Sequence, residues 1–343
     1  MKRSWRVILG FAISAAFIAY ALRGQDFGRI RTALAEVNYW FILPAIVVYF
    51  LGVAIRAYRW TVLLRPVGKV STRDILPVTA VGYMTNNILP LRTGEIVRSY
   101  VLSKRTGISK TAALATIAVE RLLDGVILLG FIFVSATVVS FTSYLRHIAI
   151  IAFAVFSIAI IGVFLLTFGG NLRDRILQIV LGPMPTPVAD RVERMAESFL
   201  SGLGVMTRKA DLAAVVLASI AAWLCEASTY FIIARGFGTD LTSKMGIGET
   251  LLTTGVGNLA TLVPSGPGYV GTFEAGVQSV LHGALKVPVE VAFSYAVVVH
   301  ATLYFPVTVW GAIAWWRLHL SMRQVRELDD DTTPEVPAQN ATA

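Results

Sequence analysis

The chain has 343 residues, 55% of them hydrophobic and 15% charged, with a mean hydropathy of +0.68 and a formal net charge of +9. Soluble domains carry about 25% charged residues, so an ordinary water-soluble enzyme is excluded and the bilayer becomes the solvent. In such a chain basic charge reports orientation and contact with anionic headgroups rather than nucleic acid. The single cysteine, Cys225, leaves no intramolecular disulfide and speaks against a thiolate metal site.

Apolar runs of about twenty residues place crossings at 5–21, 39–63, 112–141, 147–168, 211–234 and 289–316. The start, Met1-Lys2-Arg3-Ser4-Trp5-Arg6 and then an apolar run to Ala19-Tyr20-Ala21, also fits a cleaved signal peptide. With so many spans downstream, an uncleaved first helix is the expectation.

Two further segments, 74–105 and 246–286, are apolar but interrupted. The first breaks at Asn86-Asn87-Ile88-Leu89-Pro90-Leu91-Arg92-Thr93-Gly94-Glu95. The second breaks at Asn258-Leu259-Ala260-Thr261-Leu262-Val263-Pro264-Ser265-Gly266-Pro267-Gly268, with Glu274 following. Pro removes a backbone donor and Gly tolerates positive φ, so a helix ending there leaves polar groups that hydrocarbon cannot satisfy. Such tips must be buried in protein or line a wet cavity. Each segment therefore reads as a re-entrant helical hairpin, and broken helices in matching halves point to a transporter's central site.

The linker 169–210 is polar. Pro183, Pro185 and Pro187 lead into 188–207, where Val188, Val192, Met195, Phe199 and Leu203 recur at helical spacing. It reads either as an amphipathic helix on the membrane surface or as a connector packed on the spans. Residues 321–343, with Glu327-Leu328-Asp329-Asp330-Asp331, Pro334 and Pro337, read as a disordered acidic cytoplasmic tail.

Basic residues set the topology. Lys2, Arg3 and Arg6, then Arg65, Lys69, Arg73, Lys104, Arg105 and Lys110, then the linker arginines, then Arg317, Arg323 and Arg326 all fall on one side if the hairpins do not cross. The positive-inside rule makes that side cytoplasmic, with both termini. The first hairpin then enters from the cytoplasm and the second from outside. Units 39–141 and 211–316 acquire opposite orientations within one membrane domain, 1–320. The fold expected is all-α: a polytopic integral membrane helical bundle with two re-entrant hairpins and an inverted repeat.

Charges at membrane depth carry the functional reading, because each costs about 2.5–3.5 kcal/mol even on insertion scales. Glu120, Arg121 and Asp124 sit near the middle of the third span; Glu120 and Asp124 share a face and Arg121 can reach Asp124. They read either as a structural ion-pair knot or as part of a polar substrate path. Arg92, Glu95 and Arg98 cluster at the first tip, where a helix opening near Gly94 also favours an anion. Arg92 or Arg98 could alternatively snorkel to the headgroups. Glu226 and Glu274 could hold an amine or a proton, and Glu226 could equally pair with Arg121 or Arg56. Asn87, Pro90, Asn258, Pro264, Gly266 and Gly268 complete the expected path. Gly266-Pro267-Gly268-Tyr269-Val270-Gly271 matches G-x-G-x-x-G, but without a βαβ unit it is a hairpin tip. His147, His282, His300 and His319 lack metal-ligand spacing, so neither a metal nor an organic cofactor is expected. His300 could line the site or simply pack.

The ordered set of Gly82-Tyr83-Met84-Thr85-Asn86-Asn87-Ile88-Leu89-Pro90-Leu91-Arg92-Thr93-Gly94-Glu95-Ile96-Val97-Arg98, then Glu120-Arg121-Leu122-Leu123-Asp124, then Pro264-Ser265-Gly266-Pro267-Gly268-Tyr269-Val270-Gly271-Thr272-Phe273-Glu274 resembles the lysylphosphatidylglycerol synthase transmembrane region family, or flippase-like domain family. The resemblance covers about 5–317. In the bacterial multiple peptide resistance factors this region is joined to an aminoacyl-transferase half. The resemblance thus implies a stand-alone lipid translocase of a bacterial or archaeal cytoplasmic membrane, not an enzyme. Its partners would be membrane lipids, an anionic or aminoacylated phospholipid foremost, and a separate lipid-modifying enzyme. In the mechanism expected, Arg92, Arg98 and Arg121 hold phosphate while Glu95, Glu120, Asp124, Glu226 and Glu274 pair them or hold a cation. Two other readings are an accessory subunit of lipid or glycolipid synthesis and a membrane-embedded transferase.

Overall fold

The computed structural model describes residues 4–89, 93–139, 143–168, 170, 186–263 and 265–320. The expectations for Lys2 and Arg3, for Pro183, Pro185 and for the tail 321–343 lie outside the described residues. The helices are α1 (Ser4–Leu22), α2 (Phe27–Ala35), α3 (Ile42–Leu64), α4 (Thr72–Ile88), α5 (Gly94–Thr106), α6 (Lys110–Ser135), α7 (Ser143–Phe168), α8 (Thr186–Gly202), α9 (Lys209–Arg235), α10 (Gly238–Thr242), α11 (Ile247–Ala260), α12 (Thr272–Gln278) and α13 (Val289–Arg317). Among the described residues there is no strand. The chain is an all-α polytopic membrane bundle. The segments Tyr39–Leu64, Lys209–Arg235 and Val289–Arg317 are long and apolar enough to cross a membrane. Large apolar side chains such as Trp40, Phe133, Ile158, Leu217, Phe305 and Trp316 stand exposed, a surface that suits lipid rather than water.

Local chemistry sets the boundaries. Asp26 accepts from Gly28 N at 2.7 Å and opens α2, in the connection between the first two apolar runs. Ser71 caps α4, and Gly107, at φ 74°, ends α5 in the left-handed conformation. The third span ends at Ser135 rather than 141: the Ser135 and Thr137 hydroxyls bond the carbonyls of Ile132 and Val134, a local competitor to continued helix. α8 packs on α6, and the residues that follow it, Leu203 and Val205, enter the main core. The linker helix is therefore packed on the bundle along α6.

The ends of the broken segments define two levels of the bundle. At one, a Cβ on Gly68 would lie 2.8 Å from Ile108 Cδ1, and Val67, Val70 and Ile108 share one apolar cluster. The pair α4/α5 leaves this level and returns to it. At the other, the Lys244 ammonium donates to the Lys286 carbonyl at 2.6 Å, and Met245 and Val287 share a cluster. The pair α11/α12 behaves likewise there. Between them runs α6, from Lys110 beside Ile108 to the stretch where Val138 abuts Gly248. Its 26 residues at 1.5 Å each reach about 39 Å, close to the thickness of a bilayer with its headgroups.

The packed pairs are α3 on α9, α4 on α13 and α6 on α11; α4 also meets α5, α11 meets α12, α5 meets α6 and α12 meets α13. Small residues permit the close approaches. A Cβ on Gly52 of α3 would come 3.1 Å from Cys225 Cβ on α9, and one on Gly94 would collide with the Gly82 carbonyl across the α4/α5 pair.

Candidate functional site

Arg59 anchors the interior. The apolar run that makes α3 a span also carries Arg56 and Arg59, three residues apart and so on one face. That face meets α6 and α9. Arg59 is fully buried. Its Nη2 donates to Glu120 Oε1 at 2.6 Å and its Nη1 to Asp124 Oδ1 at 2.6 Å and to Ser219 Oγ at 2.9 Å. Arg98 of α5 donates to the other oxygen of Glu120 and lies 4.4 Å over the Trp60 ring. Trp60 Nε1 in turn donates to Thr116 Oγ1 at 3.0 Å. Trp223 Nε1 donates to Asp124 Oδ1 at 2.9 Å, and Arg56 donates to Glu226 Oε2 at 2.6 Å. Arg56, Arg59, Arg98, Glu120, Asp124 and Glu226 each meet an opposite charge with hydrogen-bond geometry, the condition under which such groups are tolerated out of water.

Beside this knot lies a cavity of about 160 Å³ that reaches α3, α4, α5, α6, α9, α11 and α13. Glu120 and Asp124 sit about 15–21 Å from the start of α6, roughly its middle. Arg121, one residue round the helix from Glu120, turns into the cavity. Its side chain is 35% exposed, 3.1 Å from Asp124 Oδ2 and 3.6 Å from Glu95 Oε1. Glu95 is 26% exposed, whereas Arg56, Asp124 and Glu226 are all below a tenth. Arg121 and Glu95 are therefore the charged pair that water or a ligand can reach there.

The second broken segment closes the opposite wall. Gly268 takes φ +68° inside the turn Pro267–Tyr269, and a Cβ there would lie 2.5 Å from Tyr304 Cε2 and 3.3 Å from the Asn87 carbonyl. Tyr304 Oη donates to the Asn87 carbonyl at 3.3 Å, and Asn87 Nδ2 donates to Thr308 Oγ1 at 2.7 Å. The two tips thus meet against α13. Glu274 caps α12 by accepting from Gly271 N at 2.6 Å, and its other oxygen lies 2.6 Å from His300 Nδ1. Ser14 of α1 accepts from Gly266 N at 2.7 Å, holding the tip from behind. Asn258 lines the cavity and donates to Tyr230 Oη at 3.1 Å.

Of the residues expected in the path, Asn87, Glu95, Arg121, Asp124, Glu226 and Asn258 line the cavity. Arg98 and Glu120 lie in the ion-pair knot, Gly94 in the α4/α5 crossing, and Gly266, Gly268 and Glu274 in the second tip. Pro90, Arg92 and Pro264 lie outside the described residues. The Gly94 N–H, expected to favour an anion, is taken by Asn86 Oδ1 at 2.8 Å. Glu226 resolves to Arg56, and His300 lines the cavity rather than only packing. Arg59 was missed, together with Trp60, Trp223 and Ser219. The signal for it was present: two arginines three apart in an otherwise apolar run cannot both face lipid.

Comparison with known proteins agrees with this architecture. The family model described as "Lysylphosphatidylglycerol synthase TM region" matches residues 7–311. The chain is similar to a protein of Haloferax volcanii named "Glycosyltransferase AglD", at 25% identity over 94% of this chain and 56% of that one. The chain therefore spans little more than half of that relative. It is also similar to a UPF0104 membrane protein of Methanothermobacter thermautotrophicus, at 27% identity over 92% of this chain and 95% of the relative. A UPF0104 membrane protein of Pyrococcus horikoshii is 23% identical over 91% and 96%.

Proposed function

Because the chain belongs to the lysylphosphatidylglycerol synthase TM region family, we propose that it is a lipid translocase of the cytoplasmic membrane that moves polar lipid headgroups between leaflets. The observation that carries the reading is a partly open charged pair, Arg121 and Glu95, in a cavity halfway along α6 where the two broken tips converge. Polar walls at that depth cost free energy unless a polar ligand or water uses them. A headgroup would enter sideways and meet Arg121, while its tails stay among the exposed apolar side chains. Arg59, Arg98 and Glu120 would hold the frame rather than touch the lipid.

The pairs α4/α5 and α11/α12 act as re-entrant hairpins opening on opposite faces, a reading supported by the touching ends of each pair. An inverted repeat is supported by the packing: exchanging α3 with α9, α4 with α11, α5 with α12 and α6 with α13 leaves the pair α3/α9 as it is and turns each of the other packed pairs among these helices into another of them. Alternating exposure of the cavity would follow from rocking one unit against the other. The face carrying Arg65, Lys69, Lys104, Arg105 and Arg317 would be cytoplasmic.

The test is headgroup accessibility in proteoliposomes containing the purified chain and fluorescent phospholipids, read with a membrane-impermeant reductant. Wild type should expose inner-leaflet label and Arg121→Gln should not. A wild type that matches empty liposomes with a broad lipid panel, with and without an imposed ion gradient, would sink the translocase reading. The name of the Haloferax volcanii relative favours a second reading, a membrane role attached to glycosyl transfer. Under it, sugar transfer by a partner enzyme would depend on this chain while no lipid crosses.

A further inference from the structure

The charge inventory of the cavity restricts what it can hold. Glu226 is bound to Arg56, and Asp124 is held by Arg59, Trp223 and Arg121. Among the described cavity residues, Glu95 is the one carboxylate, and Arg121 the one guanidinium, whose side chain is more than a tenth exposed. A headgroup with two ammonium groups, as on a lysyl ester, would find one reachable carboxylate, itself already facing a guanidinium at 3.6 Å. The second ammonium would be left without a reachable counter-charge in the cavity, a penalty of the kind that excludes ligands. One phosphate, by contrast, matches one guanidinium.

The remainder of the wall is uncharged and of a particular kind. The rings of Phe273, His300 and Tyr304 follow one another, with centroid separations of 4.6 and 6.0 Å. Tyr49, Tyr83 and Asn86 add hydroxyl and amide groups on the α3/α4 side. Ring faces offer flat apolar contact to the C–H faces of a cyclic polyol, while amides and hydroxyls both donate to and accept from hydroxyl groups and the Glu95 carboxylate accepts from them. The volume, about 160 Å³, is well below the 300–1,000 Å³ or so of pockets that enclose a drug-sized ligand. It suits one small headgroup rather than an oligosaccharide.

We propose that the cavity selects lipids whose single phosphate carries a neutral, hydroxyl-rich group, such as a glycerol, an inositol or one hexose, and disfavours cationic aminoacyl headgroups. The phosphate sits on Arg121; Glu95 accepts from a headgroup hydroxyl; the Phe273, His300 and Tyr304 rings flank the polyol. The selection rests on the translocase reading for its lipid delivery, but binding preference can be measured apart from transport.

The experiment uses the full chain in two arms. Native mass spectrometry in detergent scores binding of phosphatidylinositol, phosphatidylglycerol, phosphatidylethanolamine and lysyl-phosphatidylglycerol, with soluble inositol 1-phosphate as competitor. Proteoliposome translocation of labelled versions of the same lipids forms the second arm. Phosphatidylinositol and phosphatidylglycerol should bind at least about tenfold better than lysyl-phosphatidylglycerol, with Arg121→Gln abolishing the difference. Tyr83→Phe, which removes one hydroxyl, should weaken phosphatidylinositol about threefold to tenfold without moving the melting temperature. Binding with this preference but no translocation of any lipid would keep the selectivity and refute the translocase. Equal or better binding of lysyl-phosphatidylglycerol would overturn the selectivity while leaving translocation intact. If inositol 1-phosphate binds as well as the lipid, the cavity serves a soluble phosphate and the lipid assignment fails.

Discussion

Replacing Arg59 by methionine separates the frame of the site from its working surface. The guanidinium is fully buried and makes charge-assisted bonds of 2.6 Å to each of Glu120 and Asp124, with a third bond to Ser219 at 2.9 Å. Methionine fills much of the same volume but leaves two carboxylates short of a counter-charge. Arg98 still holds Glu120, and Arg121 still reaches Asp124 at 3.1 Å, so the loss is partial. Removing one partner of a buried pair costs about 3–5 kcal/mol, and the residual pairs argue for the lower half of that range. At about 2–4 °C per kcal/mol for a larger domain, the melting temperature in detergent should fall by about 6–16 °C. Arg121→Met, at a side chain 35% exposed, should lower it by about 1 kcal/mol or less and yet abolish lipid movement. Melting is read by fluorescence-detected size exclusion after heating, with translocation measured in parallel. If Arg59→Met melts with wild type while Arg121→Met unfolds, the division into frame and working surface is wrong.

Further outcomes test the packing and the topology. Gly94→Ala should lose more than about 2 kcal/mol, because its Cβ would collide with the Gly82 carbonyl, whereas Gly130→Ala, with nothing within 4 Å, should be neutral or slightly stabilising; thermal midpoints decide. Gly268→Ala forces an alanine to φ +68° and against Tyr304, so lipid movement should fall sharply for about 1–2 kcal/mol of stability, and an active variant would separate the tip junction from transport. In a Cys225→Ser background, cysteines at 69 and 104 should react with an impermeant reagent from one side of sealed vesicles and those at 244 and 286 from the other. Labelling of 69 and 104 from opposite sides would exclude a re-entrant first pair. Glu274→Gln should speed amide exchange at Gly271 to Ala275, since the carboxylate caps α12; unchanged exchange there would refute that role.

Membrane class, helix placement and the two interruptions were legible in the chain, because each follows from rules that act within a single segment. Twenty apolar residues form a helix in lipid whatever their neighbours do, and Pro and Gly end it locally. The positions of the six apolar runs match helices to within a few residues, apart from the early end at Ser135. The charged residues were legible as a group too expensive to face hydrocarbon, and the spacing of Arg121 and Asp124 announced their contact. What no segment could state is which charge meets which. Arg98 and Arg121 look alike in sequence, yet the first is sealed against Glu120 and Trp60 and the second opens into the cavity. That difference arises from what the fold places around each: Glu120 of α6 and Trp60 of α3 enclose Arg98, whereas Arg121 borders the open cavity. Sequence alone determined that charges had to be buried and that helices had to break. Only tertiary structure decided their partners, since pairing is a property of residues brought together from three or four helices, each helix being indifferent to it in isolation.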